Sequence, residues 1–380
     1  MPITARAAFP SFAKVGVESS NLFARSNFFR FNNIFRRLAA AVACLVLGAG
    51  VARAEWRVVP FPKGDVTLRA VAVGVGGQVA VSGSKGTYGV SDDGGRTWRI
   101  VAVAGGEGLD FRGLAITGAR SAVLMSAGDA AAGQAKLFRT DDAGASWTLA
   151  YETKLGGGFF DTIRFWDARR GLVLGDPIDG QWFVIETRDG GRSWARVAAS
   201  MPPLLPGEAA FAASNSALFL GPRGRAWIVS GGGPHGRVFA SRDFGRTWRV
   251  AETPIPGEAT GGVFGGLALD AERAVVVGGD HKDELRAATG IAVTADSGAG
   301  WTAAQAAGTP RLLEGVARID ARTLIAVGPR GTSISRDLGR SWTQVDTEAF
   351  HAVACARGRC VAAGGKGRVG VWQDGAGPGP

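Results

Sequence analysis

Ser91-Asp92-Asp93-Gly94-Gly95-Arg96-Thr97-Trp98 is the stretch whose reading decides the fold. An Asp in this setting bonds back to nearby backbone N–H groups and closes a turn. The Gly two residues later supplies the positive φ that the turn needs. The Trp opens the next strand and lays a large apolar body between neighbouring sheets. The same pattern, Ser/Thr-x-Asp-x-Gly-x-Ser/Thr-Trp, returns at Thr140 with Asp142 and Trp147, and at Thr187 with Asp189 and Trp194. It returns again at Ser241 with Asp243 and Trp248, at Thr294 with Asp296 and Trp301, and at Ser335 with Asp337 and Trp342. Gly300 replaces the hydroxyl residue in the fifth copy, which predicts a weaker turn there. Successive tryptophans are 49, 47, 54, 53 and 41 residues apart, the length of one propeller blade.

Between the repeats, short Val/Ala/Leu/Phe runs alternate with Gly, Asp and Ser clusters, which reads as short strands and turns. The expected fold is all-β: a seven-bladed β-propeller of four-stranded antiparallel blades. Six repeats leave one blade to find. Residues 350–355, 360–364 and 367–373 read as three strands with no repeat after them. Glu55-Trp56-Arg57-Val58-Val59 reads like the strand that follows each repeat, as in Thr97-Trp98-Arg99-Ile100-Val101. The first strand of the mature chain is therefore expected to complete the last blade and leave no open edge.

The repeat resembles the Asp-box, or BNR repeat, of sialidases, other glycoside hydrolases, sortilin-type receptors and photosystem II assembly factors, within the broader WD40/YVTN-like group. The resemblance covers residues 55–380. Phe160-Asp161-Thr162-Ile163-Arg164-Phe165-Trp166, Gly175-Asp176-Pro177-Ile178-Asp179-Gly180 and the stretch 207–215 are similar to bacterial photosystem II stability/assembly factor-like proteins. That resemblance implies a role in the maturation of membrane proteins, with a basic patch to which Arg69, Arg112, Arg237 and Arg330 are matched.

Residues 1–54 read differently. Arg36 and Arg37 precede the apolar run 38–49, and Val51-Ala52-Arg53-Ala54 fits a small-x-small cleavage site. The run is shorter than the roughly 20 residues of a spanning helix. A secretory signal is expected, with the propeller at 55–380 in the periplasm or outside the cell; an uncleaved anchor is the alternative. The leader carries seven of the basic residues and one acid, so +6 of the total +10 belongs to it, leaving +4. That balance gives no argument for nucleic acid. Cys355 and Cys360 flank the turn Ala-Arg-Gly-Arg, either as a disulfide across a hairpin or as two buried thiols. Nothing in the sequence suggests a metal or a cofactor.

In a four-stranded meander the turns alternate between the two faces. The repeats join third to fourth strands, so the lead-ins to the first strands and the second-to-third loops share the opposite face. Aligned first strands begin at Arg69, Arg112, Asp161, Glu208, Gly265, Glu314 and His351, charged or His in six of seven. Asp176, Arg237, Asp280, His281 and Arg330 come from the loops. These side chains are expected to form a mixed-charge, Gly-lined funnel, either binding a ligand or pairing with one another around a water-filled channel.

Two functions follow. A non-enzymatic scaffold would bind a protein or peptide, such as an envelope membrane protein, as a monomer. A glycoside hydrolase would need two carboxylates across a cleft, roughly 5–10 Å apart, drawn from Asp161, Asp176 and Glu208, with a glycan as ligand. Tyr88 and Tyr151 do not fall where a sialidase nucleophile belongs, and aromatic sugar platforms are not evident.

Overall fold

The computed structural model describes residues 55–373, apart from 75, 287–288, 307 and 309–311. The leader and its cleavage site lie outside the described residues. Among the described residues there is no helix, and the strands form seven four-stranded antiparallel sheets. The protein is a seven-bladed β-propeller.

Blade 1 shows the plan: Leu68–Val73, Val79–Gly83, Thr87–Ser91 and Arg99–Ile100 pair in chain order from the axis outward. The innermost strands of blades 2 to 6 are Asp110–Ile116, Phe160–Phe165, Leu218–Leu220, Gly261–Ala268 and Gly315–Arg318. Blade 7 is built from Ala352–Ala356, Arg359–Ala363 and Val369–Gln373, with Glu55–Val59 paired antiparallel along Val369–Gln373 as its outermost strand. The ring therefore closes with the first and last described strands in one sheet.

Each repeat occupies a third-to-fourth turn. In the first, Asp93 Oδ1 accepts from the N–H groups of Arg96 and Thr97, both at 2.9 Å, and Oδ2 accepts from the Thr97 hydroxyl at 2.7 Å. Ser91 donates its hydroxyl to Asp93 and accepts from Gly95 N–H. Asp142, Asp189, Asp243 and Asp337 repeat the hydroxyl contact at 2.6 Å, whereas Asp296 lacks it because Gly300 has no side chain and keeps the Thr294 hydroxyl and the N–H groups of Ala299 and Gly300. The tryptophans pack back onto the preceding blade. Trp147 meets Tyr88 edge-on at 5.1 Å, and Trp248 and Trp342 are buried against Leu172 and Val275. Blade 7 has no repeat, but Trp56 takes the tryptophan's place. It donates its indole N–H to Thr332 of blade 6 at 2.8 Å and meets Trp372 edge-on at 5.0 Å. Cys355 and Cys360 face one another across the first hairpin of this blade and are joined by a disulfide.

Two expected first strands are corrected. Residues 208–212 are not the inner strand of blade 4, which is Leu218–Leu220. The Ala-rich run at 209–213 has strand-like composition, but the chain turns at 212–213 and reaches the sheet later. In blade 5 the extra residue of the inner strand is Phe264, one before Gly265.

Trp56→Ala is expected to remove about 3–5 kcal/mol by truncating a buried aromatic, read as a lower urea midpoint of the full chain. Hydrogen bonds from Ser146 hold the Asp142 carboxyl down at about 2, and those from Thr97 hold Asp93 lower still. A depressed acid contributes stability above its unfolded value near 3.8 and loses it as pH falls through the folded value. Thermal stability from these turns should therefore be level above about pH 5 and fall between pH 4 and 2. Asp142→Asn should flatten part of that fall in a melting series.

Candidate functional site

In blades 1, 2, 3 and 5 the inner strand carries a β-bulge. The extra residues are Arg69, Arg112, Asp161 and Phe264. A bulge leaves one residue without a cross-strand mate and re-aims its side chain. Glu314 and His351 sit just before the inner strands of blades 6 and 7. All six line one cavity of about 460 Å³ on the face opposite the repeats, with His281 and Glu284 arriving from the second-to-third loop of blade 5. Asp176, expected in a loop, arrives from near the end of the second strand of blade 3, Gly171–Ile178.

The floor comes from the segment that was expected to be a strand. Residues 210–213 line the cavity, and Phe211 stacks on Phe264 with ring centroids 4.0 Å apart, while His281 meets both rings edge-on. The segment then crosses the axis. Asn215, at φ 57°, accepts from Ile163 N–H of blade 3 at 2.9 Å and donates to Leu114 O of blade 2 at 3.1 Å. Ser214 and Ser216 donate to Glu314 O of blade 6. Gly265 is required here, because any Cβ would overlap the Ser216 hydroxyl. Ser214 and Ser216 also line a second cavity of about 240 Å³ below. The channel is thus stoppered midway, and the funnel is a blind pocket.

Glu208 and Arg237 were expected in the funnel and are not there. They form a buried ion pair in which Arg237 Nε donates to Glu208 at 2.9 Å and Ser230 donates at 2.6 Å. Glu208 also accepts Leu205 N–H, and Arg237 donates to Pro203 O. This pair anchors the root of the stopper. Asp280 lies outside the lining too. It accepts from Thr260, Lys282 N–H and Asp283 N–H, and so holds the turn that presents His281. Arg330 stands outside the cavity, exposed and paired with Glu284 at 2.6 Å. The lining keeps seven of the eleven expected residues: Arg69, Arg112, Asp161, Asp176, His281, Glu314 and His351. Phe159, Phe211 and Phe264 were missed, because isolated Phe residues between Gly and Ala read as core.

The charges are unevenly matched. Arg112 donates to Asp110 at 2.8 Å and lies 5.9 Å over Phe159. His351 Nδ1 shares a 2.5 Å hydrogen bond with Glu314. No hydrogen bond or ion pair holds Arg69 among the described residues; burial pulls its pKa down and Glu314 pulls it back up. On the opposite wall Asp161 is 1 % exposed, and its Oδ2 has no partner. Burial, then the neighbouring Asp176, drives Asp161 well above the usual carboxylate range against the pull of Arg112. Burial raises Asp176 to about 6, opposed by a backbone hydrogen bond from Ala210. The two acids thus retain a proton above the pH at which a free carboxylate would lose it. The pocket offers cations and apolar rings beside two acids whose burial favours their neutral form. Of the three carboxylates considered for glycoside hydrolysis, only Asp161 and Asp176 line it, and they sit on adjacent strands of one blade.

Fold and site together define a stoppered seven-bladed propeller with one blind amphipathic pocket. No family model matches the chain, and no curated protein sequence matches it. Among solved structures it is similar to YCF48 from Cyanidioschyzon merolae, with 14% identity over 84% of this chain and 98% of that one, TM-score 0.60. It is similar also to a structure of YCF48 bound to D1 peptide, at 15% identity over 84% and 97%, TM-score 0.58. An ancestral GH74 enzyme matches at 15% identity and TM-score 0.58 over 84% of this chain, which spans 47% of the enzyme's length. At these identities the likeness concerns the fold.

An acid raised by folding costs stability once ionised. The cost is absent below the unfolded value of 3.8, grows as pH climbs through about 6, and is complete above it. Asp176→Asn should therefore gain up to about 3 kcal/mol above pH 7 and nothing below pH 4. Urea titrations of both proteins at the two pH values check this.

Proposed function

We propose that the protein is a non-enzymatic binding or assembly scaffold that takes a peptide segment of a protein partner into the funnel. The observation that carries this is Arg69: a largely buried guanidinium without an ion pair among the described residues, lining the same pocket as the stacked Phe211 and Phe264. Removing a cation from water without a partner is costly. An acidic or carboxylate-bearing peptide would supply the missing acceptor, and the rings would take an apolar neighbour. The likeness to YCF48, which has been solved with a D1 peptide bound, supports a peptide as ligand. The hydrolase reading has lost Glu208 to a buried ion pair. The leader supports export of residues 55–380 to the periplasm or beyond, or retention at the membrane by an uncleaved anchor. An envelope membrane protein in course of assembly is the partner that suits that location.

The test is a crosslinking capture from cells expressing the tagged full chain with its own leader, beside the double variant Arg69→Glu/Arg112→Glu. An envelope membrane protein crosslinked through funnel residues by the first and lost with the second is expected. Peptides from the crosslinked segment should bind about tenfold or more weakly to Arg69→Glu, as fits loss of one charge-assisted contact. Capture unaffected by the double variant would overturn the reading.

A further inference from the structure

The structure assigns a second ligand site, for a phosphate group, to the seam where blade 7 meets blade 1 on the repeat face. Four arginines line one cavity of about 320 Å³ there: Arg57, Arg96, Arg357 and Arg359. They come from three separate stretches of local structure. Arg57 lies on the closing strand Glu55–Val59, and Arg96 belongs to the first repeat. Arg357 and Arg359 flank Gly358 in the hairpin turn between Cys355 and Cys360. Arg359 reaches across the seam. Its guanidinium lies on the backbone of Gly94 in blade 1, where a Cβ would collide with it.

What marks the cluster is the absence of counter-charge. Among the described residues no acid lines the cavity, and none of the four arginines makes an ion pair or a side-chain hydrogen bond. Some exposed arginines elsewhere are matched, such as Arg246 with Glu186 at 3.3 Å, Arg273 with Asp270 at 2.7 Å, Arg330 with Glu284 at 2.6 Å, and Arg368 with Glu348. Others, such as Arg120, Arg322 and Arg336, have no ion pair among the described residues; the convergence of four on one cavity is what sets this cluster apart. Asp93, next to Gly94 in the chain, is already committed to the N–H groups of its own turn. Four like charges around one concavity repel one another, and an anion placed among them removes that repulsion. The planar forks of Arg match tetrahedral oxyanions in pairs. With four cations on offer, a phosphate group carrying two or more charges suits the site better than a single carboxylate. The ligand is thus a phosphate, either free in a small molecule or displayed by a lipid headgroup. The site is on the opposite face from the funnel and does not depend on what the funnel binds.

A ligand that binds only the folded ring stabilises it by mass action. Here it would clamp the seam that holds the ring shut. The experiment is a melting series and calorimetric titration of the full chain with pyrophosphate, at fixed ionic strength against chloride. Arg57→Ala, Arg359→Ala and their double variant run in parallel, with melting in chloride alone reporting that each folds. Saturable binding that raises the melting temperature is expected. Each single substitution should weaken it about tenfold, as for loss of one charged hydrogen-bonding partner, and the double variant should abolish it. A second arm floats the chain with vesicles of phosphatidylglycerol or of phosphatidylcholine. Flotation with the first alone, competed by pyrophosphate, assigns the phosphate to a lipid headgroup. Pyrophosphate binding without flotation assigns it to a soluble phosphate compound. No saturable pyrophosphate binding at low salt, or binding unchanged in the double variant, overturns the site.

Discussion

A ring of sheets is stable only if it closes, and here closure rests on five residue pairs between Glu55–Val59 and Val369–Gln373. Each blade buries one face against the blade before it and the other against the blade after. A gap anywhere would expose two apolar faces and two strand edges. The closing strand is short, so the backbone ladder is reinforced by Trp56. Its ring is buried against Phe350 and Trp372 within blade 7, while its N–H reaches blade 6. In blades 1 to 6 the corresponding tryptophan comes with a carboxylate-closed turn. In blade 7 the turn is lost because third and fourth strands come from opposite ends of the chain, yet the tryptophan is kept. The inter-blade packing is therefore the conserved physical element within this molecule, and the Asp-centred turn is the local means of aiming it.

Closure of the ring also dictates what can happen at the axis. Seven inner strands leave a channel, and a channel lined by backbone and small residues would be filled with water. This chain fills it with residues 208–216 instead. The cost of bringing polar backbone there is met by Asn215, whose amide bonds both blade 2 and blade 3, and by the two serines on Glu314 O. The buried Glu208–Arg237 pair fixes where the segment leaves the rim. Such a pair adds little net stability but is damaging to break by halves, so it sets position more than it strengthens the fold. The consequence is functional geometry: a through-channel becomes a blind pocket with an aromatic floor.

How much of this was legible in the sequence follows from the range of each interaction. The repeats were legible because the turn is made within eight residues, and the closing strand because Glu55-Trp56-Arg57-Val58-Val59 mimics the strand after a repeat. Arg69, Arg112 and Asp161 were legible because they fall at the same place in aligned inner strands, and there blades 1, 2 and 3 carry the bulge that aims them. Blade 4 misled because 208–212 has the composition of an inner strand. What removes it from the sheet is a set of contacts to residues about 50 to 100 positions away, which no local pattern encodes. Phe264 was displaced by one residue because adjacent glycines blur the register. The seam arginines had no signal at all, since they meet only when the two ends of the chain do.

The uneven matching of charge bears on what the funnel is for. If its ionisable groups served only to satisfy one another, the cations and acids would be found paired. Part of the ring behaves so: Arg112 has Asp110, and His351 has Glu314. The rest does not. Arg69 is largely desolvated without an ion pair, and the nearby acids are spent elsewhere or, like Asp161 and Asp176, pushed by burial toward their neutral form. Asp161 cannot neutralise a cation while it remains protonated, but it can donate a hydrogen bond. A pocket with an unanswered cation, an acid whose burial favours its neutral form and an apolar floor has the makings of a binding site. Fold alone does not say what binds there, because the same ring serves unrelated chemistries. The lining does constrain it. The ligand must bring an acceptor for Arg69 and an apolar group for the Phe211–Phe264 stack, within reach of each other. A peptide segment with a carboxylate meets both demands with a charged acceptor, whereas a neutral glycan offers Arg69 only uncharged oxygens.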